Sequence, residues 1–193
     1  MPTPDTFQAE TRGAWRRWLT QHYRRTEGIW LVTFKKASGQ PHLPYGEAVE
    51  EGLCFGWVDS KPGKVDAQRS KLWFTPRKPG TGWSKLNKER VARLIADNRM
   101  HASGLAKVHA AQEDGSWAKL DAVEALEIPA DLAAALAQHA PAATHFDAFP
   151  RSVKRGILEW ITQAKQPATR AKRITETASL AARNERANQW RPK

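Results

Sequence analysis

A single cysteine, Cys54, is the only thiol in the 193-residue chain. It allows no internal disulfide and cannot assemble a zinc site by itself, which fits a reducing compartment. No stretch approaches the roughly 18 apolar residues that a membrane span requires, so no transmembrane insertion is expected. The first residues, Met1 to Asp5, lack the basic lead and apolar run of a secretory signal, so the expected location is the cytoplasm. There is no glycine-rich phosphate signature, no Gly-x-Ser-x-Gly elbow and no His/Cys spacing suited to a metal. His101 and His109 lie eight residues apart, and His139 and His145 straddle Pro141, a pattern that suits packing or surface roles better than ligation. No catalytic residue, metal or cofactor is therefore assigned. Whether the chain is an enzyme stays open, with the balance towards not.

What the chain does have is charge of one sign, unevenly placed. Its net charge is +11. Residues 1–60 are balanced, residues 61–107 carry 12 Lys/Arg against 3 Asp/Glu, residues 108–149 carry 1 against 7, and residues 151–193 carry 11 against 3. Two basic blocks flank an acidic one, so the partners to consider are an anionic small molecule, nucleic acid or an acidic membrane surface, with plain solubility as the competing explanation. Oligomeric state cannot be read from this pattern.

Periodicity divides the chain. Trp15, Trp18 and Leu19 at i, i+3 and i+4 predict a first helix to about Arg25 with Thr11 as its cap, and Ile29 to Phe34 reads as a strand. A second helix from Tyr45 has Ala48, Val49, Gly52 and Leu53 on one side, and Glu47, Glu50 and Glu51 on another that is expected to face water. From Gly56 the period becomes two, and Trp57–Lys61 with Leu72–Arg77 predict a hairpin. Ser84 sits where a cap belongs, before a helix buried through Val91, Leu94 and Ile95. Another helix runs from about Gly104 to Gln112. Beyond an acidic connection everything reads as helix, ending in an antiparallel pair over 150–165 and 167–183. The expectation is an α+β fold: a small antiparallel sheet packed with helices over 1–112, a connection over 113–128, an all-helical domain over 129–184 and a tail over 185–193. The tail is expected to stay partly mobile unless Trp190 docks.

Several motifs occur in order: Cys54-Phe55-Gly56-Trp57-Val58-Asp59-Ser60, Leu72-Trp73-Phe74-Thr75-Pro76-Arg77, Trp83 to Arg90, and Ala164-Lys165 with Thr169-Arg170 and Arg173-Ile174. On these the chain resembles the YdeI/OmpD-associated family, also labelled bacteriocin-protection proteins, from Gly28 to about Arg183. The resemblance implies a stress or bacteriocin-protection factor and carries over no catalytic residues.

The stretch Trp73 to Lys88 joins a strand end, a Pro/Gly loop and a capped helix start. If the hairpin sets Trp57, Asp59 and Lys61 beside Trp73, Thr75 and Arg77, one sheet face combines aromatic walls with ionic groups. Arg77 and Lys78 would then meet a phosphate or carboxylate, Ser84 and the helix start would add donors, and Trp83 would stack a ring. Lys85, Asn87 and Lys88 complete this candidate anion site. Three function classes remain open: a non-enzymatic protection factor binding an anionic ligand here; non-sequence-specific nucleic-acid binding using Lys154, Arg155, Arg170, Lys172 and Arg173 as well; and an enzyme of unrecognised type acting on a phosphorylated or carboxylated small molecule.

Overall fold

Apolar spacing and short capping signals determine how the chain is segmented. The computed structural model describes residues 5–189, so the reading of Trp190 lies outside the described residues. The chain divides between Lys119 and Leu120 into two compact units. The first is α+β, the second all helix.

In the first unit, β1 (Thr6–Gln8) precedes α1 (Arg12–His22). Thr11 caps this helix, its Oγ1 accepting from the Ala14 amide at 3.1 Å. Trp15 and Leu19 are fully buried, and the Trp15 indole donates to the Ala48 carbonyl. β2 (Ile29–Phe34) is built of β-branched and aromatic residues. A single 3-10 turn (Lys36–Ser38) leads to α2 (Tyr45–Cys54), which buries Ala48, Val49, Gly52 and Leu53. Gly56, at φ +79°, makes the left-handed reversal from α2 into β3 (Trp57–Lys64). β4 (Arg69–Pro76) follows. After the Pro/Gly loop come α3 (Lys85–Ala96), capped by Ser84, and α4 (Ala102–Glu113). At Gly104 a Cβ would lie 2.2 Å from the Cys54 carbonyl oxygen, so this contact between α4 and the end of α2 admits only glycine.

The strands form one sheet in the order β1-β2-β4-β3. The β2-β4-β3 part is antiparallel, as expected. β1 adds a parallel edge beside β2 that the sequence reading did not include. Ile29, Leu31 and Phe74 pack with Trp15, Leu19, Val49, Leu53 and Trp57 into the core of the unit.

The helices of the second unit are α5 (Asp121–Glu124), α6 (Ala130–Gln138), α7 (Ala142–Ala148), α8 (Arg151–Thr162) and α9 (Pro167–Ala182). α5 is a single short turn inside the stretch read as an irregular connection. Prolines precede or open four of these helices, where a missing amide hydrogen has no consequence. α9 packs on α6, α7 and α8. Ile174, Ala178 and Ala181 face Leu132, Phe146, Val153, Ile157 and Ile161 in this unit's core. Among the described residues no helix is long and apolar enough to cross a membrane.

Candidate functional site

Strand register decides which of the expected site residues meet. Trp57 pairs with Pro76, Val58 with Thr75 and Asp59 with Phe74. Directly paired residues share a face, so Trp57 and Asp59 lie on the side of Leu72, Phe74 and Pro76. Trp73 and Thr75 lie on the other, with Trp73 paired to Trp30 across β2, ring centroids 5.2 Å apart. The single face expected to hold all six residues therefore does not form. Lys61 is exposed in the irregular step of β3 between Asp59 and Pro62.

Beyond the strand end the chain closes on itself. Arg77 is only 4% exposed and Trp83 only 1%, so neither presents an open binding surface as expected, and Trp83 is not placed to stack an incoming ring. The reason is a local cage. The Arg77 guanidinium stacks 3.8 Å from the Trp83 ring centre and donates to the Gly82 carbonyl at 3.1 Å and, more weakly, to that of Thr81 at 3.4 Å. Trp83 meets Trp117 at 4.9 Å, and the Lys88 ammonium lies 5.4 Å from the Trp117 ring. Ser84 accepts from the Asn87 amide at 3.3 Å, the capping role foreseen for it, and the Asn87 side chain accepts from Arg90. Lys78 and Lys85 are exposed.

Arg77 is the unusual member. Among the described residues it makes no ion pair, and its Nε is buried with no partner. Burial pulls its pKa down to about 10, against the opposing pull of the Asp59 charge. Keeping this group charged costs on the order of 3 kcal/mol relative to a solvated arginine. It borders a small cavity of about 50 Å³ that Lys78, Thr81, Lys107, Asp114 and Ser116 also line. Asp114, the one carboxylate there, accepts from the Gly80 amide at 3.1 Å and the Ser116 amide at 2.8 Å.

A second cluster was missed. Glu51, expected on a solvated helix face, is 0% exposed. Its carboxylate accepts from Arg12 at 2.6 Å, Arg16 at 2.7 Å and Arg99 at 2.5 Å, and Glu50 binds Arg12 and Arg93. Burial is the largest single influence on Arg12 and Arg16 and lowers their pKa values, but the hydrogen bonds and charge of Glu51, joined by Glu50 at Arg12 and by Cys54 at Arg16, together outweigh it and raise both. The signal was present: Arg12 and Arg16 fall at helical spacing with buried Trp15 and Leu19. Cys54, next to this network, is buried, and desolvation raises its thiol pKa.

A third feature lies on the inner sheet face, an open pocket of about 340 Å³ bounded by residues of β2, α2, β3 and β4, including Asp59. Among the described residues no group of three or more His, Cys, Asp or Glu could hold a metal.

Comparison with known families separates the two units. Residues 7–107, just over half of the chain, match a family described as Domain of unknown function (DUF8412). The chain belongs to that family. Residues 125–184 match the family described as Bacteriocin-protection, YdeI or OmpD-Associated (OmdA). The resemblance drawn from the sequence thus rests on this OmdA segment, and the motifs around Trp57, Trp73 and Trp83 fall within the DUF8412 part. No curated protein and no solved structure matches the chain.

The cations of the OmdA segment are largely engaged by neighbouring acceptors. Arg155 binds Glu124 and Glu159, Arg170 grips Asp131 through two nitrogens, and Lys154 reaches Asp147. Arg173 donates to the Trp160 carbonyl and stacks on that ring. The first unit holds both features: the inner pocket lies within the DUF8412 match, whereas the Arg77 cage combines residues of that match with Asp114, Ser116 and Trp117 just beyond it.

Proposed function

We propose that this chain is a non-enzymatic binding protein whose DUF8412 part takes a small oxyanion at Arg77, as inorganic phosphate or as the phosphate or carboxylate end of a metabolite. One observation carries this reading: a buried guanidinium with an unpaired Nε and no carboxylate partner, beside a cavity with lysines at its edge. Buried charges are ordinarily paired, and an arginine fork suits a planar or tetrahedral oxyanion. A water occupies roughly 30 Å³ of liquid, so a cavity of about 50 Å³ admits one oxyanion group and leaves the rest of a larger ligand outside. Asp114 spends its charge on two backbone amides, which lessens its opposition to a bound anion. The description of the OmdA family supplies the biological setting we propose, protection against bacteriocins. The lone buried thiol supports a cytoplasmic site of action.

Thermal unfolding of the full chain in phosphate, against chloride at equal ionic strength, tests the reading. At ten times its Kd, phosphate should stabilise the protein by about 1.4 kcal/mol, a shift of a few degrees in Tm. Arg77→Met should abolish the shift, and Lys107→Ala should reduce it. An equal response in Arg77→Met, or no response of the native chain to phosphate, sulfate or acetate, overturns the proposal.

A further inference from the structure

The inner-face pocket, a cavity separate from the one beside Arg77, carries an inference of opposite chemistry, although the charge of its Asp59 also acts on Arg77. Its volume of about 340 Å³ is enough for a ring with a short side chain, since a cavity of about 150 Å³ already accommodates benzene. Leu31, Leu43, Ala48 and Leu72 give it apolar walls. Its charged acceptor is Asp59. The Tyr45 hydroxyl donates to Asp59 Oδ2 at 2.9 Å, and among the described residues this is the only hydrogen bond the Asp59 side chain makes. No lysine or arginine of the described residues lies within ion-pair distance of it. Lys71, which also lines the pocket, holds its ammonium 4.4 Å from the Trp30 ring centre. On the rim, the His42 Nδ1 lies 2.6 Å from the Phe34 carbonyl oxygen and must donate to it, so in the neutral ring Nε2 remains an acceptor.

We infer that this pocket binds a small organic cation, an amine or amidine carried on an apolar body, with Asp59 as its counter-charge. The apolar walls take the body of the ligand. The carboxylate takes a charge-assisted hydrogen bond from its nitrogen at Oδ1, while the Tyr45 hydroxyl occupies Oδ2 and so competes for part of the carboxylate's charge. In a chain of net charge +11, a pocket whose unpaired charge is negative selects against the anions that the rest of the surface attracts.

Three probes sharing one ring separate charge from shape: benzylamine, benzyl alcohol and benzoate, titrated into the full chain by calorimetry or ligand-observed NMR. Benzylamine should bind most tightly and benzoate least. Asp59→Asn should weaken benzylamine about tenfold or more, the loss of one charge-assisted bond, and leave benzyl alcohol nearly unchanged. If that variant fails to fold, Tyr45→Phe replaces it. The Tyr45 ring is 56% exposed, and losing its hydroxyl leaves Asp59 with no internal donor, so benzylamine should bind more tightly. Benzoate binding as well as benzylamine, no binding of any probe, unchanged benzylamine affinity in Asp59→Asn, or weaker benzylamine binding in Tyr45→Phe refutes the assignment.

Discussion

Replacing Glu51 should do more damage than replacing any other charged residue of the first unit. The carboxylate is wholly buried, and three guanidinium groups from α1 and the α3–α4 connection converge on it at 2.5 to 2.7 Å. Each arginine keeps between 26% and 38% of its side chain exposed, so each pair is partly screened. The glutamate itself has no such relief. Breaking a buried ion pair by removing one partner costs about 3 to 5 kcal/mol. Glu51→Ala should sit near the upper end, because it leaves a cavity and sets Arg12, Arg16, Arg93 and Arg99 around Glu50 alone. Glu51→Gln should cost about 3 kcal/mol, since an amide oxygen can still accept from one donor while its NH₂ opposes another. Seven of the nine tryptophans lie in residues 1–119, so indole fluorescence during urea unfolding reports chiefly on this unit. With a denaturant slope of about 2 kcal/mol per molar, the midpoint should fall by roughly 1.5 M for Glu51→Gln and about 2.5 M for Glu51→Ala. In the double variant with Arg16→Ala the loss should be smaller than the sum of the single losses. A loss below about 1 kcal/mol for Glu51→Ala, or strict additivity with Arg16→Ala, would refute the idea that this network joins the helices.

Two further outcomes are expected. Gly104→Ala should lower the melting temperature of the first unit by several degrees, because the new Cβ would meet the Cys54 backbone at 2.2 Å and no flexible side chain can yield; an unchanged melt would mean that α4 can shift at no cost. In the second unit, the hydrogen bond from Arg170 holds the Asp131 carboxyl below its ordinary value of 3.8. A lowered folded-state pKa means stabilisation that is complete above pH 3.8 and lost as pH falls through the folded value, so acid unfolding of Asp131→Asn should be less steep there than that of the native chain. Identical acid profiles would show that the pair contributes nothing.

Local signals carried much of the fold. Thr11 and Ser84 cap the helices they precede, β2 follows from its branched and aromatic run, and α8 and α9 follow from apolar stripes separated by Pro167. β1 has three residues and owes its pairing to a neighbour reached only after a whole helix, so no periodicity announces it. The candidate site failed at one step of parity. Alternation correctly grouped Trp57 with Asp59 and Trp73 with Thr75, but which group faces which depends on the hairpin register, and a one-residue change exchanges the faces. Trp83 and Arg77 look exposed in a Pro/Gly loop. They are buried because Trp117, more than thirty positions on, returns to cover the indole. Glu51 belongs to the same class: its helix gives a surface pattern, and only the arginines of other elements make it an interior residue.

The sheet's two outer strands bear on how copies of this chain meet. One edge is β1, three residues long, and the other is β3, whose run is interrupted between Asp59 and Pro62 and carries a proline that can donate no ladder hydrogen bond. Short, kinked and lysine-bearing edges offer a poor template for a strand from another molecule. Association by extending the sheet from chain to chain is thereby disfavoured, and at high concentration the first unit should resist fibrous aggregation for as long as these two margins stay folded.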